Sequence, residues 1–189
     1  MKQKLFFALL LSSLFSLAHA ENEPKQALGF CPLGIPAYNL LAINYEMLFA
    51  NRHGINLRID YAPMSADGID INDKAVIINY RWYYHESFDS IFAGVFSRYR
   101  IDQGEGTVAG NSFNYTSKQV TLGVNIGKRW LWNNGFSVVT LMGYGYATHQ
   151  ESIRNNNTAI NSALDAMKKD YDLFFNNPLF AEFSIGYAF

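Results

Sequence analysis

The chain of 189 residues has a single cysteine, Cys31, so an intramolecular disulfide is excluded. An exported chain of this size without such a staple must draw its stability from elsewhere. Beyond the first twenty residues no stretch approaches 18 uninterrupted apolar residues, which excludes a transmembrane helix. There is no excess of positive charge. With Lys2 and Lys4 set aside, 13 of the 15 basic residues face 16 acidic ones, a balance that leaves no electrostatic footprint for nucleic acid. No His/Cys/carboxylate grouping has zinc or iron spacing, and no cofactor motif is present, so no catalytic, metal or cofactor residues are assigned.

What is abundant is aromatic. Twelve Tyr, fifteen Phe and three Trp make up 16% of the chain, which points to a β protein rich in interfaces. The N-terminus reads as a secretory signal over residues 1–20. Lys2 and Lys4 precede the apolar run LFFALLLSSLFSLA, and Ala18-His19-Ala20 is a small-x-small cleavage site before Glu21. The alternative is a retained anchor, for which the run is short. Residues 21–189 then form one domain. Cys31 lies too far from the cleavage site to be a lipoprotein cysteine and reads as a small buried residue.

Alternation at period two dominates this domain. Seven strands follow from it. They include Leu41, Ile43, Tyr45, Met47 and Phe49 on one face of the first, and Phe183, Ile185, Tyr187 and Phe189 on one face of the last. Short connections (ANRHG, HESFD, NNG) alternate with long ones: PMSADGIDINDK, QGEGTVAGNSFNYTS and the stretch 151–177. All short turns at one end and all long loops at the other is the signature of an up-and-down barrel. Closure with both termini at the short-turn end needs an even number of strands. QALGFCPLG at 26–34 supplies the eighth, with IPAYN as a tight connection and Pro32 near the strand end. The expected fold is an all-β, eight-stranded antiparallel up-and-down transmembrane barrel with a short amphipathic helix in the last long loop.

Period two alone does not say which face is outside, because a secreted lipocalin-like barrel alternates too. Four features favour a polar interior. Glycines gather on the polar parity, where a narrow barrel has room only for small or interlocking side chains. That parity carries Glu46, Arg58, Asp60, Arg81, Arg98, Arg100, Arg129 and Glu182, an interior charge network whose cations are all arginine, the residue suited to desolvated bidentate pairing. Aromatics mark both strand ends as girdles: Tyr84, Trp130 and Trp132 at the short-turn end, Tyr61, Tyr99 and Tyr146 at the other. The aliphatic face is larger than a narrow barrel could enclose. Lys128, on that face, lies close enough to Trp130 to snorkel.

With its signal, strand pattern, loop asymmetry and terminal FSIGYAF, the whole mature chain resembles the small eight-stranded outer-membrane barrels of Gram-negative bacteria, the OmpA/OmpX/OmpW-like group. The resemblance implies an outer-membrane location with both termini periplasmic. It also implies contact with outer-membrane lipid and lipopolysaccharide. Phe183, Ile185, Tyr187 and Phe189 would then be the assembly signal presented to the barrel-assembly machinery. Fold alone says little about activity.

Three function classes remain open on the residues. A structural or surface-interaction barrel with a side-chain-filled polar interior is the primary reading, and it is non-enzymatic. A lipid A- or phospholipid-modifying enzyme would have to use His149, Glu151 and Ser152 at the long-loop end. There His149 and Ser152 have opposite parity, and HQES departs from the Ser-two-after-His pattern of the deacylases. A narrow channel or small-ligand conduit is the third. The acidic loop with Asp67, Asp70 and Asp73 lacks the spacing of a calcium loop and reads as solvated. In 151–177, Ile160, Leu164, Met167, Tyr171 and Phe174 have helical spacing after Asn157 or Thr158 as cap. That helix would pack as a lid over the mouth, lie on headgroups, or offer a surface to an extracellular partner.

Overall fold

A computed structural model describes residues 24–66, 68–155, 157–170 and 179–189. The signal segment, Asp67 and residues 171–178, with Tyr171 and Phe174, lie outside the described residues, as does the side chain of Met167. Eight antiparallel strands close into a barrel in sequence order: β1 (Gln26–Phe30), β2 (Leu41–Phe49), β3 (His53–Ala66), β4 (Ile69–Tyr83), β5 (Ser90–Val108), β6 (Asn111–Leu131), β7 (Phe136–Arg154) and β8 (Leu179–Ala188). Closure is made by β1 against β8, from Ala27 opposite Ala188 to Phe30 opposite Ile185.

The registers fix the geometry. A path perpendicular to the strands runs from Gln26 through Met47, Ile55, Tyr80, Val95, Val124 and Tyr144 to Leu179. Continued with the β8–β1 register, in which Leu28 faces Tyr187, it returns at position 36, ten residues from its start. A shear of ten over eight strands needs a tilt of roughly 40° and leaves an interior only as wide as its side chains.

The wall is not uniform. The stretches at 63–74 and 103–117, expected as loops, are instead continuations of the strands as two tall hairpins. The β5–β6 hairpin closes on Ala109 and Gly110, both with positive φ (51° and 77°), the backbone that a two-residue hairpin requires and Gly supplies without strain. On the opposite side β1 ends at Phe30, four residues short of the expected end, because Pro32 has no N–H to give the ladder. A single helical turn, α1 (Gly34–Tyr38), replaces the expected tight IPAYN connection and is closed by Asn39 in the left-handed region. The second helix, α2 (Thr158–Asp170), lies in the long β7–β8 connection. Asn157 caps it, its Oδ1 accepting from the Ile160 N–H at 2.9 Å.

Candidate functional site

The interior is stacked in layers from the short-turn end upward. The lowest is an aromatic floor of Tyr83, Phe88 and Phe92 with Leu48, Val139 and Leu141. Phe88 comes from a turn that reads as polar in sequence, and its ring packs edge-on to Tyr83 at 5.8 Å. Gly127 faces this layer from β6, where a Cβ would stand 2.6 Å from the Phe92 ring, and Gly123 meets Phe96 in the same way. Inward glycines are the sockets for inward phenylalanines.

Glu46 sits on the floor, fully buried. Its Oε2 accepts from Arg81 Nη1 at 2.6 Å and from Arg129 Nη2 at 2.5 Å, and its Oε1 accepts from the Tyr83 hydroxyl at 2.6 Å. The two guanidiniums lie over aromatic rings, Arg81 on Phe92 and Arg129 on Phe88, each at 4.6 Å. β2 contributes Glu46, β4 Arg81 and Tyr83, and β6 Arg129, so this cluster ties three strands across the lumen. Above it Glu182 of β8 faces Arg81 at 3.4 Å and Arg58 at 3.5 Å, and Arg58 is held bidentately by Asp60 at 2.6 and 3.0 Å. Asn79 of β4 and Asn125 of β6 bond at 3.1 Å over Gly94 of the intervening β5.

The next layer contains Arg98, Arg100, Asp73 and Asp102, all buried. Arg100 pairs with Asp73 at 3.2 Å, while Arg98 donates to the neutral Gln119 and Thr121 of β6 at 3.4 and 3.3 Å. Asp73 and Asp102 correct the sequence reading. The first was expected in a solvated loop, yet it is 2% exposed, and neither was counted in the interior network. Their addition changes the ledger. Five buried arginines (58, 81, 98, 100, 129) now meet five buried carboxylates (46, 60, 73, 102, 182). The signal was present in the parity, since Asp73 continues the inward run Ile77, Ala75 and Asp102 follows Arg98 and Arg100 by twos.

Above the charges the interior turns apolar. Ala62, Met64, Ile69, Ile71, Phe113 and Tyr115 line the tall hairpins, and Ile160 and Leu164 of α2 fill the space between them. The apolar face of α2 is therefore occupied by the barrel's own mouth. Lys168 of α2 pairs with Glu151 of β7 at 2.6 Å and lies over the Tyr115 ring at 5.3 Å. Tyr115 donates to Glu151 at 3.3 Å, and burial pushes its phenol above the ordinary value. Glu151 is thus committed to a structural contact. His149 and Ser152 fall on opposite faces of β7, opposite Gln119 and Thr116.

The outward face carries the residues expected there: Tyr84, Trp130 and Trp132 at one end and Tyr61, Tyr99 and Tyr146 at the other are all exposed. On β8, Phe183 is exposed while Ile185 and Tyr187 are half-buried, as is Phe189 just beyond the strand.

Residues 13–189 match a family described as a protein of unknown function, DUF3575. The chain belongs to that family. No curated relative matches the sequence. Among solved structures it is similar to CarO of Acinetobacter baumannii, at 10% identity over 90% of this chain and 99% of that one, with a TM-score of 0.42. It is also similar to CarO2 of the same organism, at 9% identity over 90% and 100% of the two chains, with a TM-score of 0.46.

Proposed function

We propose that the protein is an integral outer-membrane barrel of structural or surface-interaction role, with a sealed interior and no catalytic centre. In this reading residues 1–20 are removed on export and both termini lie at the periplasmic, short-turn end. Phe183, Ile185, Tyr187 and Phe189 then serve as the assembly signal.

One observation carries the membrane reading. Along the outward face of β6, Trp130 (with Lys128 laid over its ring), Ile126, Val124, Leu122 and Val120 give way at Lys118 to Thr116, Asn114 and Ser112. The inward face inverts at the same level, from the ions and amides below to Phe113 and Tyr115 above. β5 repeats the change beyond Ile101, with Gln103, Glu105 and Thr107, and β7 beyond Tyr146, with Thr148, Gln150 and Ser152. A strand in one solvent has no reason to exchange faces. A strand crossing from hydrocarbon into water does, because the apolar side must face lipid below and a private core above. From Trp130 to Val120 the band is roughly 25 Å tall at the tilt that the shear demands, the height of the apolar band of such barrels.

Apolar layers above and below a set of buried arginines and carboxylates support a plugged interior over a conduit. The opposed faces of His149 and Ser152 support a non-enzymatic reading over a lipid hydrolase. Fractionation with a heat-shift gel tests the location: the expected result is outer-membrane recovery and faster migration unboiled. A soluble periplasmic protein without a shift overturns the proposal. Current steps in planar-bilayer recordings would overturn the sealed interior.

A further inference from the structure

Resting on the membrane reading above, we infer that the outward face of β4–β5–β6 is a docking surface for an outer-leaflet glycolipid carrying two phosphates, held by Lys74 and Lys118. The two lysines flank one residue: Ile101 of β5 is the register partner of Lys74 on β4 and of Lys118 on β6. Both are exposed. Two strand spacings separate them, about 10 Å.

Their surroundings have the shape of an amphiphile. Directly below, toward the apolar band, stand Val76, Tyr99 and Val120, then Ile78 and Leu122, all exposed. Directly above stand Asn72, whose Oδ1 accepts from the Tyr61 hydroxyl at 3.0 Å and whose amide N–H groups remain as donors, Gln103 and Thr116, which offer hydrogen bonds to sugar hydroxyls. The lysines lie on the boundary between the two. Neither joins an ion pair among the described residues, in contrast with Lys168. The nearest outward carboxylates along these strands, Asp70 and Glu105, lie beyond the amide row, and Asp70 is bonded to Ser65. The inner carboxylates Asp73 and Asp102 point to the other side of the sheet. Two uncommitted ammonium groups above an aliphatic strip match two phosphates above acyl chains. A single-phosphate lipid can satisfy only one of them.

The test uses the full mature chain in phosphatidylcholine nanodiscs titrated with labelled diphosphoryl lipid A, and K74Q, K118Q, K74Q/K118Q and K128Q beside wild type. A cation at a membrane surface is worth about fivefold in attraction to an anionic headgroup. Each single variant is expected to weaken binding by roughly fivefold and the double variant by roughly 30-fold. K128Q, at the opposite end and over Trp130, is expected to leave it unchanged. Dephosphorylated glycolipid and phosphatidylglycerol should compete poorly. Unchanged binding in the double variant, equal loss in K128Q, or equal competition by a single-phosphate lipid overturns the inference. Insertion of every variant into plain phosphatidylcholine with a normal heat shift keeps these outcomes separate from the membrane reading. Failure of the wild type to insert would bring down both.

Discussion

Asp73 of β4 and Asp102 of β5 are register partners, directly opposite across the sheet and both turned into the barrel. Like charges so placed oppose each other. Only Asp73 is paired, with Arg100, while Ser117 of β6 bonds Asp102. Three residues beyond Tyr99, above the apolar band, Asp102 is pushed up to about 7 from an ordinary 3.8, first by burial and then by Asp73, against the opposing pull of Arg100 and Arg98. A carboxyl whose folded pKa is raised contributes its full stability below pH 4 and loses it as pH rises through 7. Asp102→Asn cannot ionise. Its urea-unfolding midpoint, read by tryptophan fluorescence in lipid vesicles, is expected above the wild-type midpoint at pH 8 and level with it or lower at pH 4. Parallel pH profiles for the two proteins would refute this.

Glu46 is the shared partner of two arginines and a tyrosine. Removing its charge strands Arg81 and Arg129 among aromatic rings with no other carboxylate nearer than Glu182. Breaking a buried ion pair from one side costs about 3–5 kcal/mol, far more than the intact pair contributes. Glu46→Gln is expected to lose that amount in reversible urea unfolding. A loss below about 1 kcal/mol would show that the arginines find other partners.

The parity of the strands made five inward arginines and the outward aromatics legible from sequence, because the pattern is uninterrupted between the two ends. It faltered where the polarity inverts. Beyond Lys74 and Ile101 the outward residues are Asn72, Asp70, Gln103 and Glu105, and a stretch with polar residues on the familiar apolar parity looks like a loop. Asp73 lies inside such an apparent loop although it keeps step with the strand, while Asp102 is the last residue of its expected strand, on the polar parity with Arg98 and Arg100. Phe88 was hidden differently: it lies in a turn, where no periodicity announces that a side chain folds inward. The turn of helix at Gly34–Tyr38 contains Pro36, and five residues are too few for a helical period to show.

The helix in the last connection is anchored by two side chains, Ile160 and Leu164, both fully buried in the mouth. Leu164→Ala removes about 2 kcal/mol or more from that contact. Since α2 is outside the barrel ladder, the loss should appear as local opening. Trypsin cleavage after Lys168 and Lys169 is expected to accelerate on the order of 30-fold, with the heat shift of the barrel unchanged. Equal cleavage rates in wild type and variant would mean that the helix is held by something other than this core.

The exchange of faces along β6 makes the sharpest demand. Ile126 is 65% exposed and lies near the middle of the apolar band, whereas Asn114, on the same face of the same strand, lies above Lys118. If the band faces lipid, an arginine at Ile126 must be desolvated or thin the bilayer around itself, at about 2–4 kcal/mol. An arginine at Asn114 stays in water and costs close to nothing. In a water-soluble barrel the order reverses or vanishes, because an exposed isoleucine replaced by arginine would, if anything, gain hydration. Ile126→Arg and Asn114→Arg are therefore to be refolded side by side into vesicles and compared in urea midpoint. The expected result is a large loss for the first and none for the second. Equal midpoints would remove the lipid from the outer face of this barrel.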